Sequence, residues 1–186
     1  QRWTLTAAAG CAGLVAFATP DAAQASITGS QGIEIEGPRD RRGFFISPGI
    51  AAGASYFSDV GQIYAPMKVD LTFGGGVSKN FTLGINVYVG GYLTSQLNRK
   101  LLFGGDVEAT GFVFKGLFIR GGLGAAGMPN SAGSMAAGVG GKLGLGYEFW
   151  LNQSAAMGVD LTYDLRFVPG DGLRHTPLIG VRFSWY

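Results

Sequence analysis

Residues 157–167 alternate strictly between apolar and polar or small side chains, and this period of two constrains the fold more than any other feature. The apolar side chains are Met157, Val159, Leu161, Tyr163, Leu165 and Phe167. The positions between them hold Gly158, Asp160, Thr162, Asp164 and Arg166. A helix would place apolar residues at spacings of three and four, so the segment predicts a β-strand with one apolar and one polar face.

Comparable alternation recurs along the chain after residue 42. Eight such runs can be counted, at residues 43–57, 65–78, 80–93, 101–115, 116–127, 135–150, 155–168 and 176–186. Most are longer than the roughly five or six residues usual in globular proteins and reach the roughly 9 to 11 that a tilted strand needs to cross a bilayer. An even number of antiparallel strands can close without a free edge. The pattern therefore predicts an all-β fold, an eight-stranded antiparallel up-and-down transmembrane β-barrel.

The connections between these runs alternate in length. Tight turns are predicted at residues 78–80, 115–116 and 151–154. Longer polar loops are predicted at residues 58–64, 94–100, 127–134 and 168–175. Short turns on one side and longer loops on the other are typical of outer-membrane barrels, in which the short-turn side is periplasmic. Both termini would lie on that side.

The segment before the barrel is predicted to be a processing signal followed by a leader. Residues 1–25 contain Arg2, an apolar run over residues 5–18 and the small-x-small sequence Ala23-Gln24-Ala25, a pattern typical of a secretory signal peptide. A second interpretation uses Cys11, since residues 8–11 resemble a lipoprotein cleavage box. Residues 26–42 carry charges of both signs and little to bury, so we expect a flexible periplasmic leader, and residues 43–186 form the predicted barrel.

Composition argues against several functions. Fourteen Lys and Arg against twelve Asp and Glu leave a net charge of +2, without the clustered basic residues of a nucleic-acid-binding protein. One cysteine and one histidine are too few for disulfides or a Cys/His zinc site. The histidine, His175, falls in a predicted loop, and the G-x-G-x-x-G spelling at residues 122–127 precedes a loop rather than the required helix. We therefore expect no catalytic residue, cofactor or metal, and no enzymatic activity.

The barrel region, about three quarters of the chain, resembles the small eight-stranded outer-membrane barrels related to the membrane domain of outer membrane protein A. Its last strand is similar to the assembly signal of that family, a glycine followed by alternating aromatics: Gly180, Phe183, Trp185 and Tyr186. Tyr186 stands where the family usually has Phe. The resemblance implies a bacterial outer-membrane location, contact with outer-membrane lipids, recognition of the C-terminal strand by the barrel-assembly machinery, and a monomer.

Period two alone cannot tell the inside of a barrel from its outside. A soluble calyx of the lipocalin kind would bury the apolar face. The signal sequence, the terminal aromatic motif and the scarcity of Lys and Glu on a would-be solvated surface favour the membrane. Aromatic residues near strand ends fit the interfacial girdles of such barrels: Phe44, Tyr56, Tyr147, Phe149, Tyr163, Phe167, Phe183 and Trp185.

With the apolar face toward lipid, charged side chains project into the lumen. The candidates are Lys68, Asp70, Asp106, Glu108, Arg120, Lys142, Glu148, Asp160, Asp164, Arg166 and Arg182. An eight-stranded barrel is just wide enough for side chains to fill, and buried charges persist only when paired. The pattern predicts a salt-bridged plug, although the same residues would also serve a proton or ion path. Lumen glycines, such as Gly84 and Gly144, would make room for long side chains.

One strand breaks the phase. Asp106, Glu108 and Thr110 alternate in step with Phe112 and Phe114. Either Gly111 marks a bulge that shifts the phase, or the rings form an interfacial girdle near the turn.

The sequence as a whole indicates a non-enzymatic integral outer-membrane protein with a plugged lumen and a structural or surface-interaction role. The alternative is a narrow channel or a carrier for a small solute or lipid.

Overall fold

The computed structural model describes residues 40–58, 63–93, 101–129, 134–169 and 172–186. The chain divides into two compact units, Gln1–Ile33 and Glu34–Tyr186, and every described residue belongs to the second. The predicted signal peptide, and the leader up to residue 39, lie outside the described residues. No helix in the described ranges is long and apolar enough to cross a membrane.

Antiparallel strands account for nearly all of the described chain. They are β1 (Gly43–Gly53), β2 (Ser55–Phe57), β3 (Ile63–Tyr64), β4 (Pro66–Ser78), β5 (Phe81–Tyr92), β6 (Leu101–Phe114), β7 (Leu117–Pro129), β8 (Met135–Trp150), β9 (Ala155–Val168) and β10 (Gly172–Trp185). Each strand from β4 to β10 pairs with the next, and β1 pairs with both β4 and β10, which closes the barrel. Because β2 continues β1 and β3 leads into β4, the ten segments make eight barrel strands, as predicted.

Proline explains both interruptions. Ala54, between β1 and β2, lies opposite Pro177 of β10 and donates its N–H to the Pro177 carbonyl at 3.2 Å. Pro177 has no N–H with which to complete the ladder there. The second break, at Ala65, directly precedes Pro66. The Ala65 carbonyl still accepts a hydrogen bond from Leu93 at 2.9 Å, so closure survives both interruptions.

The apolar face of the strands points outward. In β9, Leu161 is 56% exposed, whereas its neighbour Asp160 is 8% exposed. The same division runs around the barrel, where large apolar side chains cover the outside and charged ones are buried. An apolar exterior with all ladder hydrogen bonds made internally suits hydrocarbon and not water. The structure is a transmembrane β-barrel, and the soluble-calyx interpretation is excluded.

The barrel has two ends, the turn end and the loop end. The turn end carries the connections 79–80, 115–116 and 151–154, together with residue 43 and the C-terminal residue. The loop end carries the other four connections, which fall partly or wholly outside the described residues.

The predicted loop at residues 168–175 is wrong over its second half. β10 begins at Gly172, so His175 is a strand residue that pairs with Leu165 and Tyr56. Pro177 is accommodated within β10 because it occupies the position where the neighbouring strand is interrupted and no N–H is needed.

Neither interpretation of the phase break in β6 is fully correct. Gly111 is in regular register with Phe81 and Ile119, so it marks no bulge. The register shift lies between Phe112 and Phe114. Phe112 is therefore buried in phase with the lumen charges, and Phe114, after the shift, is 64% exposed on the outside near the turn.

Closure predicts heat-modifiable migration. Because β1 closes the sheet by pairing with both β4 and β10, the folded barrel should resist dodecyl sulfate until it is boiled. Electrophoresis of boiled and unboiled samples checks this, and identical migration of the two would argue against a closed barrel.

The outward face can be tested in β9. Replacing Leu161 by Arg should reduce the free energy of unfolding by about 2 to 4 kcal/mol, because it places a charge near the bilayer midplane. Replacing the adjacent Thr162 by Val keeps the volume and removes one hydrogen bond, to Asp160 at 2.7 Å, which is worth about 1 kcal/mol. Urea unfolding in lipid vesicles measures both, and the reverse ranking would invert the two faces.

Candidate functional site: the interior charge network

The inward faces of the strands bring the charged residues together. Each of the eleven predicted lumen side chains is at most 9% exposed: Lys68, Asp70, Asp106, Glu108, Arg120, Lys142, Glu148, Asp160, Asp164, Arg166 and Arg182. Residues two apart share a face of a strand, so these side chains lie on the same face, and that face lines the lumen.

Two further cations, Arg41 and Arg174, are buried in the same interior. The sequence prediction missed Arg174 because the last strand was begun too late, and Arg41 because it was counted in the leader. The alternation of inward and outward positions along each strand could have identified both arginines as inward-facing. Arg174 is in step with Arg182, and Arg41 is in step with Ser47.

Glu108 is the centre of the network. Its carboxylate lies 2.7 Å from Lys142 Nζ, 3.1 Å from Arg120 Nε and 3.4 Å from Arg182 Nη1. The three cations come from β8, β7 and β10, so one carboxylate ties together strands from different parts of the barrel. Such a site satisfies a buried carboxylate that would otherwise be strongly destabilising.

Asn86 joins this centre to the facing wall. It donates a hydrogen bond of 2.6 Å to Asp70 and accepts one of 2.9 Å from Lys142. Asp70 in turn pairs with Arg182 at 2.9 Å, and Lys142 pairs with Asp106 at 3.2 Å. A neutral amide that both donates and accepts can bridge groups of opposite charge.

The network continues toward the loop end through Arg166. Arg166 Nη2 lies 2.8 Å from Asp106, and its Nε lies 2.8 Å from Asp164. On another wall Arg120 reaches Asp160 at 3.4 Å.

The turn end is closed by a cluster around Arg41. Its guanidinium donates to Glu148 at 2.8 and 2.9 Å, and Glu148 also accepts a hydrogen bond of 2.7 Å from the Tyr186 hydroxyl. The Arg41 guanidinium also lies 3.6 Å from the ring centroid of Phe112 and 5.1 Å from that of Trp150. This is a correction to the leader prediction, because residue 41 is held inside the barrel.

At the loop end, Arg174 donates to Ser55 at 2.8 Å, and Ser55 shares a hydrogen bond of 2.6 Å with Thr176. Lys68 lies with its Nζ 5.0 Å from the ring centroid of Tyr88.

Glycine makes room for these side chains. A Cβ at Gly144 would lie 2.8 Å from Thr162 Oγ1, and one at Gly84 would lie 3.1 Å from the Phe45 ring. A Cβ at Gly104 would lie 2.4 Å from the Tyr88 hydroxyl oxygen. Lumen positions without a side chain thus make room for groups from nearby strands.

The predicted aromatic motif at the C-terminus divides between the two faces. Phe183 and Trp185 are exposed on the outer surface, whereas Gly180 lines the lumen and Tyr186 turns inward to Glu148. Its role as an assembly signal stays a prediction.

The sole histidine is on the outer face. His175 Nδ1 lies 2.6 Å from the Tyr163 hydroxyl, and its ring lies 6.3 Å from that of Tyr56. In the part of the chain that the structure describes, no three His, Cys, Asp or Glu residues are grouped to hold a metal.

Comparison with known proteins gives the fold. No family model matches the chain, and no curated protein matches it. Among solved structures it is similar to Neisserial surface protein A, NspA, at 15% identity over 75% of this chain and 95% of that one, with a TM-score of 0.52. A second match is the N-terminal β-barrel domain of Pseudomonas aeruginosa OprF, at 15% identity over 75% of this chain and 97% of that one, with a TM-score of 0.44. A third is the attachment invasion locus protein Ail of Yersinia pestis, crystallised with the heparin analogue sucrose octasulfate. Its identity is 14% over 76% of this chain and 97% of that one, with a TM-score of 0.43.

At these identities the likeness concerns the fold alone, and the match to NspA carries it. The fold is that of the small eight-stranded outer-membrane β-barrels.

Removing one member of the network should be strongly destabilising. Lys142→Met deprives Asp106 and Glu108 of a shared partner, and Arg166→Met deprives Asp106 and Asp164 of theirs. Breaking a buried pair in this way typically costs about 3 to 5 kcal/mol. Urea unfolding in vesicles measures the effect.

Lys79→Met is the matched control, because Lys79 is exposed in the turn between β4 and β5. It should change stability by less than about 0.5 kcal/mol. If the two lumen variants lost only about 1 kcal/mol, as exposed pairs do, the interior charges would be solvated.

Proposed function

We propose that this protein is a non-enzymatic integral protein of the bacterial outer membrane whose lumen is closed by its own paired charges, and that its role is structural or that of a surface-interaction protein. The observation that carries the proposal is the network around Glu108, in which cations from β7, β8 and β10 meet one carboxylate across the lumen.

The small size of the interior spaces supports a closed lumen. Cavities of about 10, 20 and 20 Å³ lie among the described lumen residues. A water molecule needs about 10 to 15 Å³. Separate spaces of this size hold about one water each, whereas a conducting pore needs a continuous file.

Apolar groups also line the lumen near both ends, beside the charged clusters there. Toward the loop end, Leu102, Ala126 and Val168 pack with Tyr88 in a buried cluster. Toward the turn end, Phe112 and Phe118 meet with ring centroids 5.8 Å apart. An ion crossing the lumen would lose its hydration where it passes these apolar groups, which is costly for a charge.

The surroundings follow from the same proposal. The apolar exterior suits outer-membrane lipids, the short turns suit a periplasmic turn end, and the C-terminal strand β10 would be the element offered to the assembly machinery. We propose a monomer, because closure of β1 on β10 leaves no free edge for a second copy.

Planar-bilayer recording tests closure. The refolded protein should show no steady open level. A triple variant, Glu108→Ala with Lys142→Ala and Arg182→Ala, removes the centre of the network and serves as the control that insertion of an open barrel is detected. Steady conductance of the unmodified protein would overturn the plug and favour the narrow channel.

A further inference from the structure

The interior charges do not balance evenly along the barrel. In the described residues, seven buried cationic side chains accompany six buried carboxylates. At the turn end, the positive charge of Arg41 balances the negative charge of Glu148. In the centre, three cations are surrounded by four carboxylates: Arg120, Lys142 and Arg182 by Asp70, Asp106, Glu108 and Asp160. The positive excess therefore lies toward the loop end, where Lys68, Arg166 and Arg174 accompany Asp164.

Two cationic donors of this loop-end cluster have no acceptor, and the Tyr88 hydroxyl beside them is buried without a hydrogen-bond partner. Lys68 is 7% exposed, yet within the described structure its ammonium makes no hydrogen bond or ion pair, and its contact is the face of Tyr88. The nearby carboxylates of Asp70 and Asp164 are already held by arginines. Arg166 Nη1 is also buried without an acceptor. A buried, unpaired ammonium is strongly unfavourable.

A small cavity lies among these donors. It has a volume of about 20 Å³, and its polar lining comes from Lys68, Tyr88, Asp164, Arg166, Arg174 and Thr176. This is room for about one particle of the size of water. An oxyanion of five atoms would not fit, and a cation would be repelled by the three positive groups.

We infer that this cavity is a binding site for one small monovalent inorganic anion of the size of chloride, held by Lys68 and Arg166. One such anion brings a negative charge to the Lys68 ammonium and supplies the acceptor that both cationic donors lack. The site rests on the charge-paired lumen proposed above, and it gives the folded barrel an affinity that the unfolded chain does not have.

Binding of this kind makes stability depend on the anion. A ligand present at about ten times its dissociation constant should lower the unfolding equilibrium constant about tenfold. The experiment measures urea unfolding of the refolded full chain in neutral phospholipid vesicles, in sodium chloride, sodium bromide or sodium gluconate at equal ionic strength. Chloride and bromide should stabilise the protein relative to gluconate, which is too large for the cavity.

Lys68→Met and Lys79→Met form a matched pair, each losing one positive charge. Lys68→Met should lose the difference between chloride and gluconate, and in gluconate it should be at least as stable as the unmodified protein because an unpaired charge is gone. Lys79→Met, in an exposed turn, should keep the full difference. If Lys68→Met were instead destabilised in gluconate as strongly as Lys142→Met, Lys68 would have a carboxylate partner and the site would be wrong.

Crystals soaked in bromide locate the anion directly. An anomalous peak is expected in the cavity between Lys68 Nζ and Arg166 Nη1. Absence of that peak together with equal stability in chloride and gluconate would overturn the site while leaving the closed lumen intact. Steady conductance of the unmodified protein would instead overturn the closed lumen, so the two failures are distinguishable.

Discussion

Charge neutralisation inside an apolar shell is the constraint on which the rest of this barrel depends. Lipid surrounds the exterior and provides no counter-charge for the lumen. Each buried cation therefore needs an acceptor within the barrel. Glu108 meets this need for three cations at once, and Asn86 extends the network to the facing wall. Glycines opposite the long side chains are part of the same solution, because a Cβ at Gly104 would collide with Tyr88. Charge pairing and side-chain packing in this interior therefore depend on each other.

The backbone obeys a parallel rule. In hydrocarbon each N–H and C=O must find a partner, and a proline removes one donor from the ladder. The chain places Pro177 opposite the break at Ala54, where a missing donor does no harm. At the turn end, Arg41 lies inside the barrel before the first strand begins, and its guanidinium donates hydrogen bonds to the Glu148 carboxylate. Closure thus depends on residues outside the regular alternation as well as on the strands themselves.

Neutralisation is uneven along the axis among the described residues, and the anion proposed for the loop end follows from this unevenness. The centre holds more carboxylates than cations, whereas Lys68 and Arg166 retain donors without acceptors. An interior in which every charged side chain had a partner would not offer a binding site to an ion. The two proposals therefore concern different regions of one network, the closed centre around Glu108 and the positive cavity beneath the loop end.

The period of two in the sequence determined the number of barrel strands, most of their limits and which charged residues share a face, because residue alternation is a local property of a strand. The signal sequence, the terminal aromatic motif and the scarcity of Lys and Glu indicated that the charged face is the inner one. The alternation placed the start of the last strand at residue 176 instead of Gly172, and it left the phase break of β6 open between a bulge at Gly111 and an aromatic girdle. Only the tertiary structure decided which charges meet. Arg41 pairs with Glu148 across 107 positions of sequence, and Arg166 reaches Asp106 across 60. Such pairs depend on the relative shift of strands around the closed barrel, and no local pattern in a single strand contains that shift.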